Sequence, residues 1–455
     1  MKKYLFVIFL VPGFVQAQVS LGFTDFIQLV KVWHPVAIQS QLISKQGEAG
    51  LIGAKGTNDP KLIAENTQKN FGGKDYYNLQ KYGLKIPTRS GVSFQGGYEK
   101  SEGDFLNPMD YTPNEGLYYA GVEIQLGNGL FTDKRRAAIQ QAELFSSKTK
   151  QQQLIILNNL MLEAGQVYWD WLESKNNLDV FKNALAVADQ RYKAVRQNVS
   201  FGERPSNDTL EAKIQFQTRK VQYQQSVLHY ANTKALVQVY LWQDGIIPLQ
   251  LDESVSPTAL IDPLAAQSIP ENYLANHPEL DIKKIEIQSS NVDLKLKREE
   301  FKPELNLKYD VLSSSFSNET EVDVLNNYRL GVQFSMPLFL RKARGETKLY
   351  KYKISQKELQ LQYKQAEIIY KVSMAENELQ AYQEIIIVQN QSVSDYQSLL
   401  NGERTLFNLG ESSLFMVNSR EMKFIQSQLK LNEILKKRNK SKLKIQHAQG
   451  VLYKI

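Results

Sequence analysis

The 455-residue chain contains no cysteine. Disulfide staples, thiolate metal sites and a lipidated N-terminal cysteine are therefore excluded, and a chain of this size needs no staples. Histidine is scarce, at four residues, and methionine numbers seven. No clustering of these residues marks a metal path, so no metal and no cofactor is expected. Long hydrophobic runs are missing too. Beyond the first residues, no apolar stretch approaches the roughly 18 residues of a membrane helix, and the mean hydropathy is −0.40. Any passage through a bilayer must be built from strands. There is no phosphate loop and no nucleophile–base set, so the chain does not read as an enzyme. Glu299 and Glu300 are adjacent in sequence, and adjacent residues of a helix do not share a face. The net charge of +7 is spread along helical faces, which argues against nucleic acid as a partner.

What is present begins with "MKKYLFVIFLVPGFVQAQ". Two lysines, an apolar run from Tyr4 to Val15 and a small residue at Ala17 are the plan of an export signal over residues 1–17. Further on, "LFTDKRR" from Leu130 and "LFLRKAR" from Leu338 share the pattern Leu-Phe-x-x-Lys-x-Arg at an offset of 208 residues. Each follows alternating apolar and polar residues, and each opens a long helical pattern.

Behind the first motif, steps of seven from Leu157 give Ala164, Trp171, Leu178, Leu185 and Tyr192. Steps of seven from Leu160 give Val167, Ser174, Phe181, Ala188 and Val195. This is the 3.5-residue seam of supercoiled helices. The same offset gives Val372, Leu379, Ile386, Val393, Leu400 and Phe407, with a weaker companion row of Ala375, Tyr382, Gln389, Tyr396 and Glu403. Gly202 and Gly410 keep the spacing. The pattern predicts an internal duplication, with long helices from Lys134 to Asn198 and from Lys342 to Asn408. At about 1.5 Å per residue each is roughly 100 Å long. Glycine ends each helix, Ser206 and Ser412 or Ser413 are expected to cap the next, and return helices run from Asn207 to Trp242 and from Ser413 to Val451. His34-Pro35 and His277-Pro278 read as starts of two shorter helices, with proline in the first turn.

Strands are expected in two blocks, about 60–127 and 304–338. The first holds "DPKLIAENTQKNF", "YNLQKYGLKIP", "GVSFQGGYEKS" and Tyr118–Leu126, with turns at Gly72-Gly73 and Thr88–Gly91. The second holds Glu304–Ser314 and Tyr328–Leu338. One face of each strand is apolar and the other polar, at the length of an outer-membrane barrel strand. Four or six strands are too few for the smallest barrels, of eight. Open edges are not tolerated in hydrocarbon, so a homotrimer with 12 or 18 strands is expected. Lys134, Arg136, Lys342 and Arg344 then form a basic collar at the inner-leaflet headgroups. The domain plan is a signal at 1–17, a first repeat at 18–245, a linker at 246–275 and a second repeat at 276–455. The fold class is mainly α with a β-barrel part. The alternative is a periplasmic coiled-coil scaffold without a pore.

Four stretches, "HPEL", "FKPELNLKYD", "GVQFSMPLF" and "RYKAVRQNVSFGERPSNDTLEAK", taken in their repeated order, resemble the TolC-like outer-membrane efflux protein family over nearly the whole mature chain. The resemblance implies a passive trimeric duct from the outer membrane into the periplasm, the exit of a tripartite efflux or type I secretion system. Its partners would be outer-membrane lipid, a periplasmic adaptor protein and an inner-membrane pump. It places adaptor docking at the hairpin tips, here Phe201, Gly202, Glu203, Leu409, Gly410, Glu411, Ser412, Ser413 and Leu414. It places a periplasmic gate at Asp208, Met416 and Ser419. Some family members carry two acids where this chain has Met416 and Ser419, and an arginine partner of Asp208 where it has Ser412. A more apolar gate is expected here.

Overall fold

The computed structural model describes residues 20–129, 131–202, 204–258, 272–315 and 325–455. The export segment, Leu130, Glu203 and the middle of the 246–275 linker lie outside the described residues. In chain order the elements are β1 (Ser20–Gly22), α1 (Phe23–Trp33), α2 (Pro35–Lys55), β2 (Lys61–Phe71), β3 (Lys74–Pro87), β4 (Val92–Glu102) and β5 (Leu117–Gly127). The long helix α3 (Lys134–Ser200) and α4 (Ser206–Gln238) follow, then three short strands, β6 (Trp242–Gln243), β7 (Ile247–Pro248) and β8 (Ser256–Thr258). The second half holds α5 (Pro278–Glu299), β9 (Glu304–Ser313), β10 (Tyr328–Ser335), α6 (Arg341–Asn408) and α7 (Leu414–Ala448). The long helices have 67 and 68 residues, within two residues of the expected ends.

Three expectations need correction. The return helices stop at Gln238 and Ala448, three or four residues early. Strand β10 stops at Ser335 rather than Leu338, since Pro337 has no N–H to give to a ladder. Ser206 lies inside α4, whose N-cap is Pro205 with no side-chain bond; proline's fixed φ and missing N–H suit a helix entry.

The contacts divide the chain into two compact units. The first comprises Met1–Ser40, Leu154–His277 and Glu367–Ile455; the second comprises Gln41–Gln153 and Pro278–Ala366. In the first unit, the described residues build an aromatic core. Phe23 and Phe26 of α1 meet Tyr168, Trp169 and Trp171 of α3, with Val237 of α4, Leu241 just beyond it and Leu443 of α7 around them. Phe23 stacks on Trp169 with ring centres 4.9 Å apart. The Tyr168 hydroxyl lies 2.8 Å from both the Leu21 and Thr258 carbonyl oxygens, and so ties together the parallel pair β1–β8. Burial pushes that phenol's pKa up. The seam of α3 turns inward as its period predicts: Ala164, Trp171, Ser174, Ala188 and Val195 are all buried. The one polar seam residue, Ser174, is satisfied by Thr233 at 2.6 Å.

In the second unit, six strands form one antiparallel sheet in the order β10-β9-β5-β4-β3-β2. Tyr82, Tyr98 and Tyr118 stand side by side in one row, and their face also carries Leu84, Phe94, Val122, Leu330, Val332 and Phe334. Several of these apolar side chains are open: Phe94 is 50% exposed and Phe334 66%. The opposite face is charged. Lys85 pairs with Glu123 at 2.5 Å, Arg329 pairs with Glu99, and Gln95 donates to Asp310. Tyr119 lies across this face over Gly83 and Gly97, and a Cβ on Gly97 would meet its hydroxyl at 2.8 Å and run into the Tyr82 carbonyl. The neighbouring Gly96 points to the apolar face, where a Cβ would find its nearest neighbour, the Tyr119 carbonyl, at 3.4 Å. Helices of this unit are joined by polar ties, among them Lys148 to Glu286 at 2.7 Å and Lys357 to Ser290 at 2.7 Å.

Two expected outcomes follow from this packing. Gly97→Ala blocks assembly of the sheet, whereas Gly96→Ala leaves it intact; heat-stable strand content measured by circular dichroism separates the two. The second concerns His34, whose Nδ1 accepts the Val36 N–H at 3.2 Å at the entry to α2. Burial lowers its pKa below the ordinary 6.5, so the unfolded chain binds the extra proton first. The stabilisation is complete above pH 6.5 and is lost as the pH falls from there towards the depressed value. His34→Asn keeps a capping side chain and is expected to remove that part of the pH dependence from the melting temperature.

Candidate functional site: the helical hairpin tips

Each tip begins with glycine in the left-handed region, Gly202 at φ 76° and Gly410 at φ 81°. Nothing lies within 4 Å of a Cβ built on either, so it is the backbone conformation, not lack of space, that calls for glycine. At the second tip, Glu411 N–H donates to Leu406 O at 2.9 Å and Gly410 N–H to Phe407 O at 3.1 Å. That pair of bonds closes the helix as a Schellman motif. Ser413 then caps α7 by accepting the Met416 N–H at 3.3 Å, one of the two caps expected. Ser412 instead donates to Glu403.

Phe201 and Leu409 project into solvent, 67% and 69% exposed, while Leu414 is buried. Leu414 packs with Val195 and Ala212 against Tyr192, Val199 and Phe407. Among the expected docking residues it is therefore core rather than surface. Glu203 lies outside the described residues. Of the expected gate residues, Met416 and Ser419 are half-buried. Asp208 pairs with Arg204 of its own tip at 3.7 Å. Arg204 does more: it donates to Phe407 O at 3.1 Å and lies 3.9 Å over the Phe407 ring, so it fastens the first hairpin to the second.

One heptad from the tips lies a charged knot whose members the sequence reading missed. Glu421 of α7 is buried, and pairs with Arg191 of α3. Arg191 also donates to Asn418 at 2.8 Å, and Asn418 donates to Glu211 of α4 at 3.0 Å. Arg219 of α4 is 4% exposed. Burial lowers the pKa of Arg219 and of Arg404 in α6, and the Glu421 carboxylate acts against that shift in both. Helices α3 and α7 thus meet at one ion pair, and the cations of α4 and α6 lie within reach of its charge. A signal was there to find: steps of seven from Ala212 give Arg219, Ser226 and Thr233, and all four are buried. A polar row at seam spacing is a buried row, not a solvated one.

The basic collar belongs to the second unit. Lys134, Lys342 and Arg344 are exposed. Arg136 turns back, donating to the Gly129 carbonyl and lying 3.5 Å from Asp133, and so holds the strand-to-helix turn. Among the described residues no group of three His, Cys, Asp or Glu is placed to hold a metal ion, and no helix is long and apolar enough to cross a membrane.

Residues 269–451 match the family model described as outer membrane efflux protein. Among curated proteins none matches. Similar solved structures include the Campylobacter jejuni CmeC outer membrane channel, at 15% identity and a TM-score of 0.65 over 94% of this chain and 85% of that one. The open state of the Neisseria gonorrhoeae MtrE outer membrane channel has 12% identity and a TM-score of 0.70 over 94% and 88%. A CusC structure has 14% identity and a TM-score of 0.65 over 94% and 91%. At these identities the likeness is one of fold.

Removing the carboxylate of the knot leaves the Arg191 guanidinium without its ion-pair partner. Glu421→Gln is expected to lower stability to urea by about 3–5 kcal/mol, the cost of breaking a buried pair by deleting one partner. Lys193→Gln, in the exposed pair with Asp189, should leave the urea midpoint unchanged.

Proposed function

From the premise that this chain belongs, through residues 269–451, to the outer membrane efflux protein family, we propose that three copies form one passive duct. The family is an outer-membrane one, and neither it nor the channels of like fold are enzymes. The observation that carries the trimer is the six-stranded sheet. Among the described residues its end strands β10 and β2 each have one unpaired edge, and one face is apolar and open. In hydrocarbon every backbone N–H and C=O needs a partner, and six strands are fewer than any known barrel. Three copies bring edge to edge and give 18 strands. Helix α6 supports the same assembly: Leu359, Tyr363, Tyr370, Met374, Ile387 and Val388 are exposed away from its seam, a surface that a neighbouring copy would cover. The matching succession of elements in the two halves supports an internal duplication.

In this reading the tips, with Phe201, Gly202, Glu203, Leu409, Gly410, Glu411, Ser412 and Ser413, receive a periplasmic adaptor protein coupled to an inner-membrane pump. The described members of this set are reachable, apolar at two points and rigidly turned. The gate lies near Met416 and Ser419. Asp208 is neutralised by Arg204, so the constriction is more apolar than an acidic ring and only weakly cation-selective. Lys134, Lys342 and Arg344 meet the headgroups of the inner leaflet. Drug efflux, metal efflux and protein secretion all use such a duct, and the exported substrate is set by the pump.

The second reading, a pore-free periplasmic scaffold, would leave Phe94, Leu330, Val332 and Phe334 facing water across one sheet. The expected outcome is protein that stays in the outer membrane after a carbonate wash, runs as a trimer in detergent and gives weakly cation-selective conductance in planar bilayers. A stable monomer without conductance overturns the duct. Strong cation selectivity that vanishes when one acid away from Met416 is neutralised overturns the gate.

A further inference from the structure

The second unit contains a cavity of about 740 Å³ where β5 passes into α3, β10 passes into α6 and α5 ends. Lys134, Arg135, Lys297, Lys302, Arg341 and Lys342 all line it. The three segments that build it, residues 131–136, 296–304 and 335–346, carry nine basic and five acidic side chains. Some of these cations are spoken for. Lys297 is held by Glu300 at 2.8 Å and Glu346 at 2.5 Å, Lys302 by Glu299 at 2.8 Å, and Arg135 lies 3.6 Å from Asp133. Lys134, Arg341 and Lys342 make no ion pair within 4.0 Å among the described residues. Three exposed positive charges thus face one open cavity; of the acids lining it, Asp133 and Glu300 are held by cations, and Glu304 accepts from Asn128 at 3.3 Å.

The backbone adds to the field. In α6 the first helical bond is from Arg344 N–H to Leu340 O at 3.0 Å, so the N–H groups of Arg341, Lys342 and Ala343 precede the ladder, at the positive end of the helix dipole. Leu340, on the cavity wall, has φ 49°. A branched side chain rarely holds that conformation, and such strain gathers where a ligand is clamped. The rim is apolar: Leu338 is 90%, Phe339 71% and Phe131 74% exposed. Arg341 stacks over the Phe339 ring at 5.3 Å, and Lys302 lies 4.3 Å from the Phe131 ring centre. Cations backed by open aromatic and aliphatic side chains suit an amphiphile better than a free ion.

We propose that this cavity binds the phosphate of an anionic phospholipid, with Lys134, Arg341 and Lys342 on the headgroup and the acyl chains lying over Phe131, Leu338 and Phe339. The site rests on the outer-membrane reading, which sets this end of the sheet at headgroup level. It gives the collar a ligand and replaces Arg136, which the Gly129 carbonyl occupies, with Arg341. Bound lipid would pin both strand-to-helix turns from one point.

The test uses the full-length detergent-solubilised assembly and a short-chain phosphatidylglycerol as probe, followed by native mass spectrometry. Binding is expected to be at least about tenfold tighter than for the matching phosphatidylcholine or for inorganic phosphate, about 1.4 kcal/mol or more. The triple variant Lys134→Gln, Arg341→Gln, Lys342→Gln removes three exposed, unpaired charges and should lose that preference. Leu338→Ser with Phe339→Ser should weaken the lipid at least about tenfold while leaving inorganic phosphate unchanged. Equal lipid binding by wild type and the triple variant overturns the site. Inorganic phosphate that binds as tightly as the lipid overturns the lipid as occupant. Conductance of the same preparation is read independently: a conducting wild type without the lipid preference sinks this inference alone, and a non-conducting one sinks the duct.

Discussion

Helices of 67 and 68 residues depend on burial repeated every 3.5 residues along one seam. Local hydrogen bonds make a helix; they do not give it a partner over eighteen or more turns. Here the seam is mixed rather than greasy. Trp171 and Val195 fill it in places, and Ser174, Arg219, Ser226 and Glu421 fill it in others. Polar seam residues cost stability unless they are satisfied, and they fix register when they are. The Ser174–Thr233 bond and the Glu421 knot hold α3 against α4 and α7 at definite offsets. The tips inherit their geometry from that register, as does any docking surface they present.

The sheet of the second unit obeys a different constraint. Its two faces differ in chemistry, and its glycines differ in purpose. Gly97 is required by the closeness of the Tyr82 carbonyl and by Tyr119 lying across it, whereas Gly96 is not crowded. One face is polar around Tyr119, and the other keeps its apolar side chains open. Among the described residues β10 and β2 each keep an unpaired edge, which is what the proposed duct would close with other copies. The collar completes this economy of contacts, since the turns that end the strands also begin the long helices.

Much of this was legible from spacing. The period of two in Tyr328–Ser335 and Leu117–Gly127, the period of 3.5 behind Lys134 and Arg341, and the offset shared by Gly202 and Gly410 gave the long elements to within a few residues. Proline and glycine marked most of the breaks. Helix α1 went unread because its 11 residues are too few to establish a period beside an apolar leader. The cap expected of Ser206 failed because Pro205 does the same work by shape. The docking role expected of Leu414 gave way to the small core it forms with Val195 and Ala212. Arg204 and Glu421 went unmarked in the sequence, since a single charged residue carries no sign of what it will meet.

The sequence by itself determined periodicity, and with it the kind, length and order of the elements, the sharp tips and the two-faced strands. These follow from local rules, in which neighbours a few residues apart decide the outcome. Only the tertiary structure decided which charges are buried and which are exposed: Arg191 against Glu421, 230 positions away in the chain, Arg136 against a carbonyl, Lys134 and Arg341 against no acid among the described residues. The physical reason is that the field at a side chain is set by groups brought close in space, and separation along the chain does not encode that distance.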